Sequence, residues 1–264
     1  MWKLYVVNTF TDRVFSGNPA AVCILDRWPE DALLLKIARE NALSHTAFVV
    51  SQNQAAYELR WFTPTMEIDL CGHATLAAAY VLNRFHCPQI KCLSFLTKSG
   101  TLTVTQEESL FVMDFPAYQL KALEVTEELT RALGERPREV WRSRDLVCVF
   151  DRAEQVEQLT PDFNKLLQLK GALVQVTAPG SGGFDCVSRT FAPKMGLPED
   201  PVCGSGHCHI IPYWAGKWNK TEFTARQASP RGGILYCRLR GDRVLLGGQA
   251  ALYSVCELVM EGLT

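Results

Sequence analysis

The chain has no charge excess: 27 lysines and arginines stand against 28 aspartates and glutamates in 264 residues, and no five like charges run together. That balance argues against the basic footprint of a nucleic-acid binder and against a polybasic membrane-holding segment. There is no run of some 20 apolar residues, and the start, MWKLYVVNTF, is followed by no small-residue cleavage site. A cytoplasmic location is therefore expected, without membrane or nucleic-acid partners. Ten cysteines are too sparse and irregular for a disulfide scaffold, and most read as small core residues. Zinc would call for paired Cys-x-x-Cys motifs, whereas Cys203-x4-Cys208 has no matching second pair, so no metal is expected. The cluster GSGG at 180–183 lacks the strand, turn and helix that phosphate binding requires. What is plentiful is apolar material, 47% of the residues, ample for one large domain or two small ones.

The first positive feature is an internal repeat. RWFTPTMEIDLCGHATLAAAY from Arg60 and RTFAPKMGLPEDPVCGSGHC from Arg189 share the frame R-x-F-x-P, an acidic segment, then Cys-Gly. The pairs Phe62/Phe191, Pro64/Pro193, Cys71/Cys203 and Gly72/Gly204 lie 129 to 132 positions apart, and Gly100 and Gly233 extend the match at a separation of 133. Several blocks in register argue for two similar halves, with boundaries at 1–118 and 119–264 and a linker around Pro116 to Arg136. C-terminal strands crossing back to the first half fit this scheme. AYELRWF, SFLTKSGTLTVT and SLFVMDF read as strands, mirrored by FDCVSRTF, GGILYCRL and RVLLGG. The segment after Gly72, HATLAAAYVLNRF, is apolar nearly all round and reads as a core helix, with a counterpart after Gly204. PEDALLLKIARENAL and VTEELTRAL have helical spacing.

In an approximately two-fold arrangement the two Cys-Gly turns can face each other across a cleft between the halves. Each cysteine would sit at a helix N-terminus, where unpaired amides and the dipole lower a thiol pKa and hold a carboxylate. Gly72 and Gly204 let a ligand approach the backbone. Two proton-transfer groups flanking such a carboxylate can remove and return an α-proton, the design of a cofactor-free isomerase or epimerase. Asp200, Ser205 and His73 are candidate hydrogen-bonding or acid-base neighbours, and Ser44 and His45 in ENALSHTAF are a further addition that local spacing does not aim at the cleft. The plainer readings stand beside these. Cys71 and Cys203 also read as buried small residues beside a helix cap, Asp200 and Ser205 as helix caps, and Cys208 as core. His207 and His209, two apart on a helix, point to different faces. A Cys71–Cys203 disulfide could form on oxidation if the thiols came within bonding distance.

SGNPAAV, LSHTAF, the two Cys-Gly blocks and RGGILYCRLRGDRVLLGGQA together resemble the PhzF-like family of phenazine-biosynthesis isomerase-like proteins over essentially the whole chain. The resemblance implies an α/β (α+β) fold similar to diaminopimelate epimerase: two pseudo-symmetric halves, each a β-barrel around a central helix. It also implies a cofactor-independent isomerase acting on a small carboxylate-bearing metabolite, with a homodimer as a compatible assembly. The family's acidic, serine and histidine positions map onto Asp200, Ser205 and His73, with Gly206 and Asn18 as substrate-side positions in the EDPVCGSG and GNP blocks. One position departs. Where relatives usually read Ser-Glu-Thr, with the glutamate as general acid/base, this chain has His45. The Cys71/Cys203 pair resembles that of the epimerases, so the thiols are expected to do the chemistry, with His45 as auxiliary base or ligand contact. A two-cysteine epimerase or racemase and an inactive metabolite-binding protein are the alternatives.

Overall fold

The computed structural model describes residues 2–53 and 55–260. They form two compact units, the first running to Asp114 and resuming at Gly247, the second spanning Phe115–Leu246.

The first unit begins with β1 (Trp2–Thr9), β2 (Asn18–Leu25), α1 (Asp31–Asn41), β3 (Thr46–Ser51) and β4 (Ala56–Phe62). It continues through β5 (Glu67–Ile68), α2 (Gly72–Phe85), β6 (Cys92–Thr97), β7 (Gly100–Glu107) and β8 (Leu110–Pro116). The second has β9 (Lys121–Leu123), α3 (Glu127–Leu133), β10 (Glu139–Arg142), β11 (Leu146–Val149), α4 (Ala153–Glu157) and α5 (Phe163–Leu166). There follow β12 (Val174–Pro179), β13 (Cys186–Ala192), β14 (Leu197–Asp200), α6 (Gly204–Trp218), β15 (Glu222–Gln227), β16 (Gly233–Arg240) and β17 (Arg243–Gly248). The last strand, β18 (Ala250–Leu258), returns to pair antiparallel with β1.

The repeat is visible in the ladders. In the first unit β1/β2 is antiparallel, β2/β3 parallel, β3/β4 antiparallel, β4/β6 parallel and β6/β7 antiparallel, with β5 clipped antiparallel onto β4. The second repeats the same alternation through β10, β11, β12, β13, β15 and β16, with β14 on β13. The fold is thus the expected mixed α+β plan, strands with one long apolar helix in each unit. Among the described residues, however, hydrogen bonds do not close the strands into a barrel. The stretch expected as one strand from Ser94 is a hairpin, because Gly100 at φ +97° turns the chain after Lys98 and Ser99.

Side-chain chemistry explains the R-x-F frame. Residues two apart on a strand share a face, so each guanidinium lies over its own phenyl ring: Arg60 over Phe62 at 5.2 Å, Arg189 over Phe191 at 5.0 Å. Each also makes a two-pronged bond to the acidic segment, Arg60 to Glu67 (2.7 and 2.8 Å) and Arg189 to Glu199 (2.8 and 2.9 Å). The offset grows from 129 at the prolines to 132 at the cysteines because a three-residue 3-10 turn, Pro193–Met195, precedes β14.

The two long helices are core helices, as their composition predicts. His73–Leu82 of α2 are all buried, and α2 packs on β1, β2 and β3. The shorter α1 turns Leu34, Ile37 and Ala38 onto Leu4, Ala21, Phe48 and Phe62. In α6 the interior Pro212 has no N–H to give the Cys208 carbonyl four residues back. The Tyr118 amide donates to that carbonyl instead (3.0 Å), which keeps the helix start intact and seats Tyr118 beside it.

Candidate functional site

In the first unit, the start of β3 and the start of α2 bring three side chains together. Cys71 is the N-cap of α2, in extended conformation, and its carbonyl accepts from the Thr75 hydroxyl at 2.7 Å. Its sulfur lies 3.5 Å from His73 Nδ1, the donor depending on the ring tautomer. The His45 carbonyl accepts from the Ala21 amide (3.1 Å), which fixes the residue at the end of the β2/β3 ladder. Its ring meets His73 edge to face with centroids 4.9 Å apart. One ligand-type atom from each of His45, Cys71 and His73 lies within 4.8 Å of the others. Burial pushes His45 down to about 4; burial, and then the neighbouring His45, takes His73 well below the ordinary range. Both rings are therefore neutral near pH 7.

Asn18 opens β2 and is buried, its carbonyl accepting from the Thr9 hydroxyl at 2.9 Å. The glycine before it has a steric reason: Gly17 sits at φ +66°, where an added Cβ would come 2.1 Å from the Thr9 carbonyl oxygen. A surface cavity of about 540 Å³ lined by Trp2, Ile24, Asp26, Ser51 and His86 lies at the far ends of β2 and β3 from His45, and none of the three clustered side chains lines it.

In the second unit the corresponding helix start carries Cys203, Gly204 and Ser205. Cys203 is again the N-cap; its sulfur accepts from the Gly206 amide (3.4 Å) and lies 3.5 Å from the Ser205 hydroxyl. His207 stands where the first unit has Thr75 and does the same work, its Nδ1–H donating to the Cys203 carbonyl at 2.8 Å. Nε2 then accepts from the Ser188 hydroxyl (3.3 Å). Asp200 ends β14, with Oδ1 accepting from the Val202 amide at 3.2 Å.

The expectation of an acidified thiol is corrected at Cys203. Burial raises its pKa first and the Asp200 carboxylate adds to this, outweighing the Ser205 hydroxyl and the Gly206 amide. Cys203 is held as the protonated thiol. The bond from the Gly206 amide and a half-buried neighbour, Ser205, are too little to compensate for lost solvent.

Sequence spacing gave no sign of Arg144, Asp145, Gln175 and Tyr118, which complete this group. Arg144 donates to Ser205 Oγ at 3.0 Å and makes a two-pronged bond to the adjacent, fully buried Asp145 (2.9 and 2.7 Å). Its guanidinium lies 5.3 Å over Tyr118, which stacks at 4.0 Å on His209. Gln175 donates to Asp145 (3.1 Å) and accepts from the Thr190 hydroxyl (2.6 Å). Gly206 is glycine because Gln175 occupies its side-chain space: a Cβ there would meet Gln175 Oε1 at 2.4 Å. Cys208 and His209 are buried, His209 donating to the Ser205 carbonyl (3.1 Å), so both are structural parts of α6. No cysteine among the described residues is in a disulfide.

Two copies of one strand-and-helix plan, each with a thiol at the head of its buried helix, define the class: a duplicated, epimerase-like α+β protein. The chain belongs to the phenazine biosynthesis-like (PhzC-PhzF) family, whose model matches residues 7–255. An uncharacterized isomerase of Pseudomonas aeruginosa is 48% identical over 253 residues, covering 96% of each chain. The crystal structure of a PhzF-family protein from Enterococcus faecalis superposes with a TM-score of 0.96 at 45% identity, over 98% of this chain and 99% of that one. The fold alone extends to a hydroxyproline epimerase from Agrobacterium vitis, with TM-score 0.60 at 10% identity over 97% and 91% of the two chains. By family and by its named relatives the protein is an isomerase. No helix among the described residues is long and apolar enough to cross a membrane.

Proposed function

We propose that the protein isomerises a small carboxylate-bearing metabolite by moving a proton at the carbon next to the carboxylate, using side chains and no organic cofactor. The observation that carries this reading is the repeated thiol: each unit places a cysteine at the N-cap of its buried helix, with a polar partner two residues on, His73 or Ser205. Cys203, kept protonated by burial and by Asp200, is assigned the return of the proton. Cys71 with His73 is assigned its removal, and His45 is an auxiliary base. The electron pair left on carbon spreads into the carboxylate, whose growing charge Arg144 and the α6 amides stabilise. Neither helix has an acidic residue in its first turn to cancel that field.

The test is wash-in of solvent deuterium into a panel of α-amino and α-hydroxy acids. Cys71→Ser and Cys203→Ser are each expected to lower the exchange rate by about a hundredfold or more, the usual worth of a positioned acid or base. Unchanged exchange in either variant would remove that thiol from the mechanism. Label returned on an inverted centre supports the epimerase alternative; label on a displaced double bond supports the isomerase. Tight binding of an acid that takes up no label would identify a binding protein.

A further inference from the structure

The Cys71 group holds more ligand chemistry than proton transfer requires. Two imidazoles and a thiol converge from one unit, their ligand atoms within 4.8 Å of one another and their residues largely buried. In tetrahedral zinc sites Zn–S is about 2.3 Å and Zn–N about 2.0–2.1 Å, which puts a sulfur and a nitrogen ligand about 3.6 Å apart. Cys71 Sγ and His73 Nδ1 are 3.5 Å apart. His45 Nδ1 is buried and makes no hydrogen bond, a cost that a ligand would remove.

The second unit is an internal control. The residues equivalent to His45, Cys71 and His73 by ladder register and repeat offset are Leu173, Cys203 and Ser205. The backbone frame is the same, but two of three ligands are missing. Leu173 and Cys203 belong instead to an apolar cluster with Ala192. The ligand set is thus an addition to one copy and no by-product of the fold.

We propose that His45, Cys71 and His73 bind one soft divalent cation of the Zn²⁺ class, leaving a fourth position for water or an anion. This departs from the expectation of no metal, which weighed only the Cys203-x4-Cys208 spacing. Coordination takes Cys71 as thiolate and releases its proton to solvent, so the metal and proton transfer at Cys71 exclude each other. Zinc is then an inhibitor of the isomerase. This last clause rests on the proposed function; the metal site does not.

Reduced, chelator-stripped protein titrated with Co²⁺ tests the site. The expected result is one ion per chain, with a thiolate-to-cobalt charge-transfer band and the intense visible bands of four-coordinate cobalt, discharged by one equivalent of Zn²⁺. Cys71→Ser should abolish the charge-transfer band, and His45→Ala and His73→Ala should each weaken binding at least tenfold. Cys203→Ser and the exposed pair Cys92→Ser/Cys256→Ser should leave the spectrum unchanged. His45→Gln, at the start of a strand, serves as the second variant should Cys71→Ser fail to fold by circular dichroism. Absence of a band in the unmodified protein, its persistence in Cys71→Ser, or its loss in Cys92→Ser/Cys256→Ser would each overturn the site. In the deuterium assay, equimolar Zn²⁺ should suppress exchange and EDTA restore it; exchange stimulated by zinc would overturn the inhibition. A protein that exchanges nothing leaves the spectroscopic result to stand by itself.

Discussion

Gly206→Ala isolates how the two copies were fitted differently around one plan. In an ordinary helix this change is favourable, by up to about 1 kcal/mol. Here the new methyl would meet Gln175 at 2.4 Å (Oε1) and 2.7 Å (Cδ and Nε2), so the carboxamide has to move. Side-chain ends often yield cheaply, but this one is fully buried and tied to Thr190 and Asp145. Displacing it breaks one neutral hydrogen bond, worth about 1 kcal/mol, and one to a carboxylate, worth about 1.5–3 kcal/mol. Set against the helix gain, a net loss of about 2 kcal/mol follows. By ladder register and repeat offset the first unit carries two buried alanines, Ala47 and Ala74, where the second unit has Gln175 and Gly206. The same glycine change in a Gln175→Ala background should therefore be neutral or stabilising, giving a coupling of about 2–3 kcal/mol. Urea unfolding of the four proteins measures it. Equal effects of Gly206→Ala in both backgrounds would refute the argument, as would a Gly206→Ala protein as stable as its parent.

Other outcomes follow from the same geometry. Arg189→Lys should cost more stability than Arg60→Lys in denaturant titrations, because Arg189 is the less exposed (11% against 20%) and also donates to the Leu159 carbonyl at 2.7 Å. Gly17→Ala should destabilise by roughly 2–4 kcal/mol, since its φ of +66° and the Thr9 carbonyl leave no room for Cβ; unfolding midpoints settle it. Burial pushes His207 down to about 4 from an ordinary value of 6.5. With the folded value below the unfolded one, its contribution is complete above pH 6.5 and is lost as pH falls from 6.5 toward 4. Between pH 7 and pH 5 the loss is about 2 kcal/mol. His207→Thr, the residue found at the equivalent place in the first unit, should shrink the difference in unfolding free energy between those two pH values by that amount.

Linear pattern carried much of this protein. Apolar residues nearly all round HATLAAAYVLNRF could be accommodated only in a core, and α2 is buried from His73 to Leu82. The R-x-F frame and the two Cys-Gly turns are local spacings, legible because strand alternation and helix starts act over two to four residues. Asp200, Ser205, Cys71, Cys203 and His73 could be named for that reason. Contacts between residues far apart in the chain were decided by tertiary packing. Arg144 reaches Ser205 across 61 positions, and nothing in SRDL announces it. His45 and His73 meet because a parallel ladder ends where a helix begins, a juxtaposition set by the β2/β3 and β3/β4 registers. The thiol of Cys203 makes the point energetically. Its place at a helix start follows from the sequence, but its raised pKa follows from how completely the fold removes water around it, a property of the whole unit that no local spacing encodes.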